Sequence, residues 1–311
     1  MIECNFVTMK FSIKKHKNPI IKPGISAFRF FDWDSLWAYH PCAIVEKKKY
    51  YLFYTGKTIG QGIRHNVGLA VSEDLQSWEK VKAPILPVGE TGEWDSDFIA
   101  HCFVFKEGAK FYMLYDGSPK GKWLEEIGLA ESSDLYTWKK YDKNPVFKVG
   151  KNAWENTHVS RCCVFRENDT YYLFYAGHDG KRERIGMAKG ESIFTIKRFM
   201  DKPVLDVGRE GEWDEQTISD PRVMRYKNMY LMFYSGVDRN SNEQMGVAVS
   251  RDLKTWKKYD KNPILAIDPQ GRDKVSAARS DVKMINDKLY IFYSGKTNIL
   301  YSIGLASMSI T

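Results

Sequence analysis

The sequence predicts an all-β protein: a five-bladed β-propeller of four-stranded blades, closed by an N-terminal strand that completes the last blade. Two recurring strand patterns and a match between the two chain ends carry this expectation. The first pattern reads Tyr50-Tyr-Leu-Phe-Tyr-Thr-Gly56, Phe111-Tyr-Met-Leu-Tyr-Asp-Gly117, Tyr171-Tyr-Leu-Phe-Tyr-Ala-Gly177, Tyr230-Leu-Met-Phe-Tyr-Ser-Gly236 and Leu289-Tyr-Ile-Phe-Tyr-Ser-Gly295. Its closing glycines step by 61, 60, 59 and 59 residues. Short aromatic and aliphatic runs bounded by Gly read as buried strands.

The second pattern follows each time as Val67-Gly-Leu-Ala, Ile127-Gly-Leu-Ala, Ile185-Gly-Met-Ala, Met245-Gly-Val-Ala and Ile303-Gly-Leu-Ala. Three copies then turn through Asp74-Leu-Gln-Ser-Trp78, Asp134-Leu-Tyr-Thr-Trp138 and Asp252-Leu-Lys-Thr-Trp256. An outer strand runs on into Ala83-Pro, Asn144-Pro, Lys202-Pro and Asn262-Pro, where Pro ends the pairing at a sheet edge. Radial repetition of such units protects the remaining edges. The last copy lacks its outer strand. The N-terminal run Phe11-Ser-Ile-Lys-Lys-His-Lys-Asn-Pro-Ile-Ile resembles Trp138-Lys-Lys-Tyr-Asp-Lys-Asn-Pro-Val-Phe and supplies it. One domain over residues 1–311 is therefore expected.

Composition narrows the function classes. Apolar residues at 43% and charged residues at 28% exclude a disordered chain. No apolar run approaches the ~18–20 residues of a membrane span, and Met1 to Gly24 lacks the apolar core and cleavage site of a signal peptide. A cytoplasmic protein with no membrane partner is expected. Five cysteines, an odd number without a CxxC pair, fit buried thiols better than disulfides or a zinc site. The formal charge of +8 comes with no nucleic-acid-binding motif. P-loop, dinucleotide, HExxH and GxSxG signatures are all missing, so no cofactor and no catalytic metal are expected.

The five copies act as an internal control: what recurs is scaffold, and what varies among polar types is a site candidate. Trp33-Asp34, Trp94-Asp95, Trp154-Glu155, Trp213-Asp214 and the degenerate Arg272-Asp273 recur, so they read as indole wedges with capping carboxylates. Seven residues further on, one geometric position holds His40, His101, Arg161, Asp220 and Arg279. Inner strands of a propeller start around the central channel, so these five should converge at its mouth. Asp97, Glu215, Asp281 and His158 lie near the same register. Asp116 stands where the other copies have Thr55, Ala176, Ser235 and Ser294. Trp37, Phe98 and Trp123 are candidate stacking surfaces for sugar rings, with buried packing as the alternative for each. Basic connections on this face (Lys57, Arg64, Lys120, Lys122, Lys181, Arg182, Arg184, Arg239 and Lys296) read either as a generally basic surface or as a funnel for an anionic ligand.

Taken together, the Tyr-rich strand, Ile-Gly-Leu-Ala, Asp-Leu-x-x-Trp and Asn-Pro-Ile-Leu resemble glycoside hydrolases of families 43, 32 and 130 over nearly the whole chain. The resemblance implies a five-bladed propeller acting on carbohydrate. The first-blade Asp-Pro base of family 43 falls on His40-Pro41, its third-blade Asp on Arg161, and its fourth-blade Glu on Asp220. Ser219-Asp220-Pro221-Arg222 resembles the Glu-Asp-Pro-Arg segment of family 130, whose Asp donates the proton and whose members include phosphorylases.

Glycosidic cleavage needs an acid for the leaving oxygen, together with a base, a carboxylate nucleophile or an external anion. Asp220 is the expected acid, with a partner among Asp97, Asp116, Glu215 and Asp281. His40, His101, Arg161, Arg279, Asp116, His158 and Trp37 are the expected substrate-binding residues. The first expectation is hydrolysis of a small oligosaccharide or glycoside, anionic in one version. The alternatives are phosphorolysis and a sugar-binding propeller without catalysis.

Overall fold

Each recurring segment forms a strand in a computed structural model that describes residues 9–24, 32–60 and 64–311. The first strand is β1, Phe11–Lys15. Five antiparallel arrays follow from the repeats. The first has β2 (Trp37–Glu46), β3 (Lys49–Lys57), β4 (His65–Ser72) and β5 (Glu79–Lys80). The second has β6 (Phe98–Glu107), β7 (Lys110–Ser118), β8 (Glu126–Ser132) and β9 (Lys139–Lys140). The third has β10 (His158–Glu167), β11 (Thr170–His178), β12 (Glu183–Gly190) and β13 (Lys197–Arg198). The fourth has β14 (Thr217–Tyr226), β15 (Met229–Val237), β16 (Glu243–Ser250) and β17 (Lys257–Lys258). The fifth has β18 (Ser276–Ile285), β19 (Lys288–Lys296) and β20 (Tyr301–Ile310). Among the described residues there is no α-helix, only a 3-10 turn at Ala153–Glu155. Accordingly, no helix there is long and apolar enough to cross a membrane.

The fifth array takes its outer strand from the opposite chain end: β1 pairs antiparallel with β20 from Phe11↔Ile310 to Lys15↔Ala306. Single parallel bridges at Trp37↔Tyr301 and short ones at Glu243↔Ser276 and Gln244↔Ala277 link three arrays into twelve strands, while the other two arrays stand as four-stranded sheets. No hydrogen-bonded sheet among the described residues closes on itself. Packing joins them instead: β2 lies against β6, β6 against β10, β10 against β14, β14 against β18, and β18 against β2.

The recurring glycines have a packing reason. A Cβ on Gly56 would stand 2.1 Å from the Trp33 ring, and one on Gly68 would stand 2.0 Å from it. Each indole thus lies across bare backbone of two neighbouring strands, and Trp94, Trp154 and Trp213 repeat the arrangement. The carboxylate after each Trp, and after Arg272 in the fifth array, is committed as well. Asp34, Asp95, Glu155, Asp214 and Asp273 accept the hydroxyls of Tyr54, Tyr115, Tyr175, Tyr234 and Tyr293 at 2.8–3.1 Å. They also face Lys80, Lys140, Arg198, Lys258 and Lys15 at 2.6–2.9 Å. A buried tyrosine hydroxyl and a buried carboxylate each need a partner, and this trio satisfies both. In the fifth array the cation is Lys15 of β1.

Cys42, Cys102, Cys162 and Cys163 are buried free thiols; Cys4 lies outside the described residues. Burial pushes the Cys42 and Cys163 thiols up to about 11, which suits packing rather than reactivity.

Candidate active site

Every inner strand carries the same defect. Pairing slips by one residue between Tyr39/Cys42, Ala100/Phe103, Ser160/Cys163, Ser219/Arg222 and Ala278/Asp281. The residue after the first of each pair is His40, His101, Arg161, Asp220 or Arg279, with φ of 49°, 51°, 50°, 54° and 49°. Left-handed backbone costs a non-glycine residue roughly 1–2 kcal/mol, so five repeats of it mark positions held by their surroundings. The bulge frees one backbone N–H, which the preceding array satisfies in four of the five copies, Ala176 offering no side-chain acceptor to the Asp220 copy. His40 N donates to Ser294 Oγ, His101 N to Thr55 Oγ1, and Arg279 N to Ser235 Oγ, each at 2.9 Å. Arg161 N donates to Asp116 Oδ2 at 2.9 Å. Asp116 therefore does the work of its Ser and Thr counterparts and has a carboxylate to spare.

The ring side chains do converge. Arg279 Nη1 lies 3.1 Å from His40 Nε2; guanidinium is donor only, so Nε2 accepts and His40 is protonated on Nδ1. That Nδ1 sits 3.0 Å from Asp220 Oδ1, and the His40 and His101 rings are 4.0 Å apart. Burial, outweighing Asp220, drives the His40 pKa down to about 3, so the imidazole is neutral. For Asp220, burial opposes ionisation, but His40, Arg161 and Arg279 prevail and hold the carboxyl far below the usual carboxylate range. His101 Nδ1 lies 2.7 Å from Asp116 Oδ2, leaving its Nε2 as the other ring nitrogen available to a ligand. Burial and the nearby Glu125 push the Asp116 pKa well up.

A second ring was legible by the same register argument but was missed. Three residues before the glycine of the second pattern stand His65, Glu125, Glu183, Glu243 and Tyr301, all buried. Glu183 pairs with Arg161. Both oxygens of Glu243 take the Arg279 Nε–H at 2.7 Å. Glu125 differs. Its Oε1 accepts from Trp123 Nε1 at 3.1 Å, while its buried Oε2 has no partner.

Trp37, Tyr39, His65, Phe98, His101, Ser118, Trp123, Glu125, Arg161 and Arg279 enclose a cavity of about 350 Å3. Among the described residues Glu125 is the only carboxyl lining it. One wall is aromatic, and Trp123, 73% exposed, stands at the rim. Its ring stacks 5.6 Å from His158, which stacks 4.2 Å from His178. Of the residues singled out in the sequence, Trp37, Phe98, His101, Trp123, Arg161 and Arg279 line the cavity. His40 and Asp220 sit behind Arg279, and Asp116 sits behind His101.

The structure does not bring together the other acids. Asp281 accepts from Ala43 N at 2.7 Å and faces Arg222 and Lys283, so it serves as a packed counter-ion. Glu215 is clamped by Arg239 at 2.8 Å and by Gly211 N at 2.7 Å, which hold its pKa down to about 2. Asp97 does not line the cavity. The charges that hold the Asp220 carboxyl down favour its ionised form over a proton donor. As for metal donors, atoms of His101, Asp116 and Glu125 lie within 4.8 Å of one another, although Asp116 is already bonded to His101 and to the Arg161 N–H.

Comparison with known proteins places this geometry. Residues 77–298 match the family model described as glucosamine inositolphosphorylceramide transferase 1, N-terminal. An uncharacterized protein of Mycobacterium tuberculosis is 28% identical over 207 residues, which span 64% of this chain and 66% of that protein. A β-1,2-mannobiose phosphorylase of Thermoanaerobacter sp. (strain X514) is 24% identical over 295 residues, covering 88% and 91% of the two chains. Among solved structures, a β-1,2-mannobiose phosphorylase from Listeria innocua superposes with a TM-score of 0.73 at 14% identity, over 95% and 96%. A glycoside hydrolase does so at 0.75 and 21%, over 93% and 91%. The fold is that of the propeller glycoside hydrolases and phosphorylases.

Proposed function

The chain belongs to the family of the glucosamine inositolphosphorylceramide transferase 1 N-terminal domain, and from that premise we propose that it is a single-domain, five-bladed propeller that cleaves a glycosidic bond. Five arrays, the cyclic order of their inner strands and the seating of β1 on β20 support the blade count and the closure. The observation that carries the activity is Glu125, a buried carboxyl with one free oxygen, facing a cavity walled by aromatic rings and by donors. Glu125 donates the proton to the leaving oxygen, and Trp123 and Trp37 stack on sugar. Asp220 acts through His40 as an anchor for the guanidinium of Arg279.

An external nucleophile attacks the anomeric carbon. Water as that nucleophile needs a second carboxylate as base, and no other among the described residues lines the cavity. Phosphate needs none. Arg161 Nε, buried and without a partner, is a ready donor to an oxyanion. Phosphorolysis is therefore the second reading, and the Thermoanaerobacter phosphorylase, matched over most of its length, favours it.

The test is turnover of aryl glycosides and oligosaccharides by the purified protein, with and without phosphate, against Glu125→Gln and Asp220→Asn. Loss of about 10²–10⁴-fold in kcat for Glu125→Gln is expected from removing a general acid. Undiminished turnover in that variant sinks the assignment. Binding without turnover across the panel would leave a sugar-binding propeller.

A further inference from the structure

We infer that the mouth of the cavity holds an oxyanion carried by the sugar itself, a phosphate ester or a carboxylate, between Lys57 and Lys296. This rests on the cavity being the carbohydrate site. Strand register puts the two lysines in one row. Lys57 is paired with Trp37, Trp37 with Tyr301, and Tyr301 with Lys296. The row crosses the seam between the first and fifth arrays, and its outer members lean inward. Lys57 Nζ lies 4.3 Å from the Trp37 ring centroid and Lys296 Nζ 5.0 Å from that of Tyr301, two rings only 5.4 Å apart.

Charge bookkeeping separates these two from every other cation at the site. Arg161 already faces Glu183, and Arg279 faces Glu243. Neither lysine has a carboxylate within ion-pair distance among the described residues. Both are half-buried, and burial lowers the pKa of each, helped at Lys296 by Arg279 and only partly offset there by Glu243, which Arg279 already occupies. An ammonium withdrawn from water without a counter-ion is unfavourable, and a bound oxyanion relieves that cost for both at once. The aromatic rings beneath them bind the apolar face of a sugar as well as the cations. A charged substituent on a ring stacked at Trp37 would thus meet the two amines.

Calorimetric titration tests this with hexose 6-phosphates and hexuronates of the gluco and manno series, the neutral hexoses and inorganic phosphate. At least one anionic sugar should bind tenfold or more tightly than its neutral parent. Lys57→Gln/Lys296→Gln should erase that preference while neutral binding persists, and the preference should weaken as salt rises. Neutral and charged sugars binding alike, or a preference that survives in the double variant, would overturn the clamp alone. Inorganic phosphate binding as tightly as the sugar phosphate, and losing that in the double variant, would overturn the sugar-borne source. No sugar of any kind binding would overturn the carbohydrate reading with it.

Discussion

Residues at equivalent positions of the five arrays share one backbone and differ in chemistry, and this contrast decides what each can do. His40, His101, Arg161, Asp220 and Arg279 were legible from the sequence because their register to the closing glycine is invariant. Glu125 has a fixed register to Gly128 too, yet as one of two adjacent Glu residues it stands out only once its counterparts Glu183 and Glu243 are seen to be consumed by arginines. The assignment of the acid separates the two carboxyls kinetically. Glu125→Gln should lower kcat with little change in KM, whereas Asp220→Asn should raise KM, because it loosens the guanidinium ring that holds substrate. The reverse pattern in steady-state kinetics would return the acid to Asp220.

Protonation gives a second prediction at this scale. The His40 pKa falls from the ordinary imidazole value to about 3 on folding. Between about pH 6.5 and 3 the unfolded chain therefore binds a proton that the native state refuses, so stability falls as pH drops through that window. Asp220, depressed in the native state, extends the same trend below the unfolded carboxylate value. Denaturant midpoints measured from pH 7 to 4 should decline, and His40→Gln should flatten the decline. An unchanged slope in the variant would show that His40 titrates normally.

At the scale of the element, the strand patterns were readable from sequence, but the partners of the Trp-carboxylate pairs were not. The cations that neutralise Asp34 and Asp95 stand on outer strands of two residues, Glu79–Lys80 and Lys139–Lys140, too short to show a period. The indole-on-glycine contact is directly testable. Gly56→Ala must displace the Trp33 ring or the strand, which costs about 1–3 kcal/mol as overpacking. Trp33→Ala removes the two nearest atoms and leaves the Asp34 Cβ at 2.8 Å, so the double variant should lose less stability than the sum of the two singles. Additive losses in urea titrations would mean that the ring does not rest on Gly56. Gly60→Ala should cost less: no described residue stands within 4 Å of its Cβ, and its φ of +79° is what resists.

Across the whole molecule, the two chain ends carry the architecture. β1 contributes five paired residues to β20, the Lys15 ammonium to buried Asp273 at 2.6 Å, and Asn18, whose amide bonds Tyr293 Oη at 3.1 Å and Leu305 O at 3.1 Å. Asn144 and Asn262 make the same bonds in their own arrays, so the N-terminal segment replaces a missing piece in kind. The last array also holds the first, through His40 N to Ser294 Oγ. If the proposed ring is closed and cooperative, deleting residues 1–22 weakens every array, since each leans on two neighbours. It also bares the β20 edge to pairing with other chains. A single calorimetric transition lowered by roughly 10 °C or more, with concentration-dependent aggregation, is then expected. Lys15→Met, which leaves Asp273 without its cation, should reproduce a smaller part of the shift. Should the truncated chain instead show two transitions, one of them at the original temperature, the arrays would be independent units and the closed ring would be wrong.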